Sequence, residues 1–141
     1  KTYFKLVKPV ALHYPGFIDH EFLRDSLDCI VNEKGQIIFS SQNTSITFYT
    51  HYEILGANDT MYRVTRKMEE TPRITQTPSG NYNVLNSKIT IFAYPNFALS
   101  KNPRYMHTMY AENIGIVLET IPFFSSSLEY TERRLVRYHL E

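Results

Sequence analysis

The side chains with most chemical potential in this sequence are five histidines, His13, His20, His51, His107 and His139. His20-Glu21-Phe22-Leu23 opens like the metal-binding helix of a zinc protease, but the position that must carry the second His is Arg24. Zinc needs both imidazoles on one helical face, so the motif fails at its defining residue. The remaining histidines are dispersed, His51 on an expected wet strand face and His107 and His139 in separate strands. Neither a metal site nor a cofactor is expected.

Nucleophiles and acids give no stronger lead. There is no Gly-x-Ser-x-Gly elbow, and Ser125-Ser126-Ser127 falls in a turn, where serine is favoured for local hydrogen bonding. The 5 glycines are scattered and build no phosphate-cradling loop. Any chain with 14 carboxylates offers pairs that could flank a glycosidic bond, so such pairs alone assign nothing. The expectation is a non-enzyme with no catalytic residue; a hydrolase of envelope or dietary polymers working through carboxylates is the alternative.

Basic residues gather at Arg63, Arg66, Lys67 and Arg73, and again at Arg133, Arg134 and Arg137, with Tyr62, Tyr130 and Tyr138 interleaved. A platform for single-stranded nucleic acid needs such a mixture. Glu69, Glu70, Glu129 and Glu132 offset both groups, however, and 15 basic against 14 acidic residues leave a net charge of +1. No field grips a polyanion, so nucleic acid is not expected as a partner. The candidate binding residues are instead aromatic. Phe48, Tyr52, Phe92 and Tyr94 recur on long strands and could line an apolar pocket for a small ligand, or simply pack in the core.

The elements that must hold these residues are strands. Tyr, Phe, Ile, Val and Thr make up 52 of 141 residues, against 5 Ala. Branched and aromatic side chains suit a pleated, half-buried surface. Thr2–Val7 reads as a first strand, Pro15-Gly16 as a turn, and Phe17–Leu27 as the only segment with helical spacing, through Ile18/Phe22 and Leu23/Leu27. Asn32–Gly35 is a tight turn between strands at Leu27–Val31 and Gln36–Ser41. In Thr44–Leu55, Ile46, Phe48, Tyr52 and Ile54 share one face, and Ser45, Thr47, His51 and Glu53 share the face expected to be wet. Thr60–Met68 follows, with its basic residues toward solvent. Glu69–Gly80 reads as a long exposed loop with a short edge strand at Arg73–Thr77. Asn81–Tyr94, apolar on both faces, should be central; Tyr105–Tyr110, Ile114–Thr120 and Leu128–Leu140 complete the series. Sequons at Asn43 and Asn58 are of a kind that arises by chance in so Asn/Thr/Ser-rich a chain, and Cys29, the only cysteine, reads as a small buried hydrophobe.

Together these segments predict a mostly β, single-domain antiparallel meander over 1–141, forming a strongly curved sheet or a barrel, because open edges invite aggregation. An assembly subunit that pairs through an exposed edge is a further alternative.

The last third reads Met109-Tyr-Ala-Glu-Asn-Ile-Gly-Ile-Val-Leu118, then Tyr130, then Arg134-Leu-Val-Arg-Tyr138. It resembles the closing strands of uncharacterised bacterial cell-envelope lipoproteins, with their Tyr-Ala-x-x-(Val/Ile)-Gly-(Leu/Ile)-Val and Leu-Val-x-Tyr motifs. Tyr3-Phe4 resembles the start of their folded part, although Lys5 stands where they carry Pro. The resemblance implies a curved antiparallel sheet or barrel, export from the cytoplasm, and membrane attachment through a lipidated Cys upstream of Lys1. It assigns no catalytic residue. The function expected is a non-enzymatic extracytoplasmic scaffold, in the cell envelope or secreted, that binds a protein partner or a small ligand.

Overall fold

The computed structural model describes residues 4–5, 22–42, 46–55, 59–69, 73–95, 102–123 and 128–139. They form eleven strands: β1 (Phe4–Lys5), β2 (Phe22–Ser26), β3 (Cys29–Asn32), β4 (Ile37–Ser40), β5 (Tyr49–Leu55), β6 (Asp59–Met68), β7 (Arg73–Thr77), β8 (Gly80–Ala93), β9 (Arg104–Ala111), β10 (Gly115–Pro122) and β11 (Tyr130–Arg134). All pairings are antiparallel, as a mostly β reading requires. A four-stranded sheet has the order β1-β2-β3-β4, and a seven-stranded sheet the order β11-β10-β9-β8-β6-β5, with β7 paired to one end of β8. Among the described residues β5 and β11 do not pair, so the larger sheet has two ends and no closed barrel is formed. Pro15-Gly16, Asn43, Asn58, Ser125–Ser127 and the expected helix's first residues, 17–21, lie outside the described residues.

Strand β8 organises the large sheet. Its 14 residues are long enough to pair with β6 and β7 along one edge and with β9 along the other. Apolar residues therefore occur on both faces, as a central strand demands. Tyr62, Val64, Ile89, Ile91, Ala93, Met106 and Ile121 form one cluster on the inner face. Val84, Met109, Ala111, Val117 and Leu118 form another on the outer face, where Tyr82, Ile114 and Leu135 cover them. Leu135 reaches its place because its N–H donates to the Val117 carbonyl while its carbonyl accepts from Ser79. This departure ends β11 at Arg134 and shortens the strand expected to run to Leu140.

Turns follow side-chain chemistry. The buried Asn32 Oδ1 accepts from the N–H groups of Lys34 and Gln36, at 3.0 and 2.8 Å, and Gly35 supplies the left-handed φ of 77° that closes the bend. Gly115, φ 95°, follows Asn113, φ 60°, at the entry to β10, ahead of a bulge between Ile116 and Leu118. Nothing lies near where its Cβ would be, so the backbone angle, not a close approach, requires glycine.

Four expectations are corrected. Residues 22–26 are extended rather than helical: Ser26 pairs with Cys29 across a two-residue turn in which Leu27 (φ 48°) and Asp28 (φ 62°) are both left-handed. Leu27, assigned to a helix face by its spacing, is the exposed tip of that turn. In β5 the alternation is right but the faces are exchanged. Tyr52 and Ile54 are exposed, whereas His51 and Glu53, joined at 3.0 Å, pair with the buried Val64 and Tyr62. Arg66 is not on the solvent side of β6 but 1% exposed in the interior. The short strand expected at Arg73–Thr77 is present with those bounds, pairs along its length with β8 and buries Thr75 and Thr77. Cys29 is half-buried rather than buried.

Candidate functional site

The two sheets meet at β4. Between Ile37, paired with Val31, and Phe39, paired with Ile30, Ile38 is an extra residue that the ladder leaves out. A bulged carbonyl needs another donor, because an unsatisfied buried one costs roughly 1–3 kcal/mol. Two side chains of the large sheet provide it: Ser87 Oγ donates to Ile38 O at 2.7 Å and Arg66 Nη1 at 3.2 Å. Arg66 also donates to Ser87 Oγ at 3.0 Å and, through Nε, to Tyr49 Oη at 3.2 Å. Arginine suits this place because its planar fork keeps its charge and serves several acceptors at once.

Beside this junction the sheets separate and leave a cavity of about 530 Å³. Ile30 and Phe39 of the small sheet face Leu85 and Tyr110 of the large one, and the 112–115 turn closes one end. The Phe39 and Tyr110 rings stand 4.5 Å apart, tilted by 43°. A mostly apolar space of this size, with a few polar groups at its rim, is the usual form of a small-molecule site.

A second constellation lies on the outer face, at the end of β6. Glu69 Oε2 takes Arg73 Nη2 at 2.6 Å, and Oε1 takes Lys88 Nζ at 3.4 Å. Asn86 Nδ2 donates to Glu69 Oε2 at 2.9 Å and lies 2.7 Å from His107 Nδ1. Burial pushes the Glu69 carboxyl up, but the Asn86 hydrogen bond and the charges of Arg73, Lys88 and His107 outweigh it and hold the group below its ordinary value. Burial pushes His107 down, and the nearby Glu69 charge only partly restores it, so the imidazole is held below its ordinary value too. His107 lines a groove of about 410 Å³ with Tyr105, Thr120, Pro122 and Tyr130.

The four aromatic candidates come partly together. Tyr52 pairs with Arg63 and Arg63 with Phe92, so the three form one row across β5, β6 and β8. The Arg63 guanidinium sits 5.8 Å from the Phe92 ring centre, and Tyr94 meets that ring edge-on at 6.0 Å. Phe48 stands one residue before β5. Tyr52 is 50% and Phe92 36% exposed, so these two are surface residues rather than core. Neither the inter-sheet cavity nor the His107 groove is lined by any of the four. The basic clusters do not form one surface, because Arg66 and Tyr62 point inward. Among the described residues no three His, Cys, Asp or Glu side chains gather as metal ligands.

Sequence reasoning passed over Glu69, Asn86 and His107 as a unit. Their one signal is Asn86, an amide in a strand that otherwise reads as central and apolar. Comparison with protein-family models, curated proteins and solved structures finds no match to this chain.

Proposed function

We propose that this protein is a non-enzymatic, extracytoplasmic β-scaffold that holds a small apolar molecule between its two sheets. The observation that carries the reading is the 530 Å³ cavity bounded by Ile30, Phe39, Leu85 and Tyr110. Its walls favour a ring- or chain-bearing body by removing apolar surface from water, while Ser41, Asn83 and Asn113 at the rim would meet a polar end. The aromatic row of Tyr52 and Phe92, with Tyr94 and Phe48, is retained as a second contact surface for ligand or partner. The envelope location and lipid anchor rest on the Tyr110–Leu118 and Leu135–Tyr138 motifs. A strong curl of the large sheet belongs to the same reading, supported by bulges at Glu53/Ile54 and Ile116/Leu118, since bulges bend and twist a strand.

Native mass spectrometry of freshly purified protein tests the cavity. The expected result is an added mass, or uptake of the apolar dye 1-anilinonaphthalene-8-sulfonate, that Leu85→Trp abolishes by filling the space. A bare monomer that takes up no dye, or uptake unaltered by Leu85→Trp, overturns it. Fractionation of the natural precursor, with mass analysis of its N-terminal peptide, tests the anchor; an unlipidated, cytosolic product overturns that part.

A further inference from the structure

Antiparallel register sets the outer-face side chains in rows that cross the large sheet. One row runs Lys88, His107, Thr120, Glu132 over β8, β9, β10 and β11. Beside it runs Thr90, Tyr105, and, on the far strands, the Pro122–Tyr130 pair. Beyond these stands the Tyr52, Arg63, Phe92 row. Tyr105 and Tyr130 are two strands apart, about 10 Å at ordinary strand spacing. The groove lies between them, on the opposite side of the large sheet from the cavity proposed above.

The hydrogen bonds dictate which proton His107 presents. Glu69 is an ionised carboxylate held by Arg73 and Lys88, so the Asn86 atom 2.9 Å from it must be the donating nitrogen. The same nitrogen is 2.7 Å from His107 Nδ1, which must therefore offer its lone pair. A neutral imidazole then carries its proton on Nε2, on the side of the ring away from Asn86. Asn86 is 1% exposed, so this arrangement is built into the sheet rather than floating at its surface. Thr120 Oγ1 accepts from the His107 backbone N–H at 3.2 Å and keeps its own hydrogen to donate. Glu129, in the groove wall, supplies an acceptor, and the Tyr105 and Tyr130 hydroxyls can act either way.

We propose that this groove and the aromatic rows beside it form a binding platform for a neutral saccharide chain lying across the strands. Sugar hydroxyls both give and take hydrogen bonds, and the groove offers both kinds of partner. The flat C–H faces of pyranose rings match the Tyr105, Tyr130 and Phe92 rings and the Pro122 wall. Arg73 is committed to Glu69, and Lys88 to Glu69 and to the Tyr105 ring face, 4.2 Å from its Nζ, so neither of these two cations is directed at an anionic ligand; Arg104, which also lines the groove, is only 3% exposed.

Solution NMR on the whole chain tests this with maltose, cellobiose and N,N′-diacetylchitobiose as neutral probes, and galacturonate as a charged one. At least one neutral disaccharide should shift the His107, Thr120 and Tyr130 resonances, with a Kd of about 1 mM or below, as is ordinary for a shallow small-ligand site. His107→Phe, which keeps a ring but removes the Nε2 donor, should weaken that binding about tenfold or more, the scale of one lost hydrogen bond. No shift with any neutral probe, galacturonate bound as tightly as they are, or unchanged binding by His107→Phe each overturns the proposal. The ring nitrogen shifts of the unaltered protein give a check that needs no variant: the proton must be on Nε2, and an Nδ1-protonated ring overturns the assignment.

Discussion

Asn86 and Ser87 are adjacent on β8, both polar and both buried, yet they serve opposite ends. Strand alternation turns Ser87 inward, where with Arg66 it completes the bulged Ile38 carbonyl and fastens the small sheet to the large one. It turns Asn86 outward, where it joins Glu69 to His107 at the edge of an open groove. A sealed polar group is satisfied wholly by protein and reports on stability. One that opens to a groove leaves the last partner in the chain, His107, free to face something else. Burial alone does not distinguish structural from presenting polar residues; what lies at the end of the network does.

The sealed side should break hardest. Arg66→Ala leaves Ile38 O and Tyr49 Oη each short of a donor and opens space in the interior, and is expected to cost about 3–5 kcal/mol in urea denaturation. Ser87→Ala, which leaves Arg66 able to reach Ile38 O, should cost only about 1 kcal/mol. Because Ile38 O keeps one donor in either single variant and has neither in the double, the double variant should lose more than the separate losses combined. Full additivity would show that the junction is not one network.

On the open side, Asn86→Ala should cost roughly 1–3 kcal/mol, smaller than the loss from Arg66→Ala because solvent can reach part of what it leaves. Its more telling effect is on pH. Both Glu69 and His107 have values lowered by folding, so the unfolded chain binds protons more readily and stability rises with pH. The His107 contribution is complete above its ordinary value of 6.5 and is lost as the pH falls from there through the lowered value. The Glu69 contribution is present above 4.5 and is lost as the pH falls below that through its own lowered value. Arg73 and Lys88 face Glu69, and Tyr105, Glu129 and Tyr130 line the groove with His107. Asn86→Ala removes the hydrogen bond that lowers Glu69, so the acid limb of the stability curve should move to higher pH. Arg66→Ala should lower the whole curve without moving either limb.

Much of this was legible in the sequence, and the exceptions share a cause. Asn32–Gly35 was readable as a turn because side chain and glycine act locally, and Arg73–Thr77 because its alternation is short and bounded. The two faces of β5 were not, because alternation fixes parity but not which parity faces inward; the pairing of His51 with Val64 settles that, and it is a tertiary fact. Arg66 reads as solvent-facing by type, and only the Ile38 bulge in a different sheet explains its burial. His107 could not be joined to Glu69 and Asn86 because the three lie on separate elements, brought together by register alone. Tyr52 and Phe92, expected to line a pocket or pack in the core, share an exposed row instead, and for the same reason: alternation on each strand could not show which face of the sheet they take.

The smallest expected effect tests whether the sealed junction makes the two sheets unfold together. Leu27 and Asp28 occupy a hairpin turn that demands a left-handed backbone twice, and Leu27, 95% exposed, gains no packing there. Asparagine tolerates that conformation better than leucine, so Leu27→Asn should stabilise the hairpin by about 0.5–1 kcal/mol. If Arg66 and Ser87 couple the sheets, this gain, made entirely in the small sheet, should shift the single transition of the whole protein. Amide exchange should then slow in β8 and β9 as well as in β2 and β3. Placed on Arg66→Ala, the same substitution should slow exchange in β2 and β3 alone. Slowing confined to β2 and β3 with Arg66 intact would mean that the Ile38 junction holds the sheets in contact without making them cooperative.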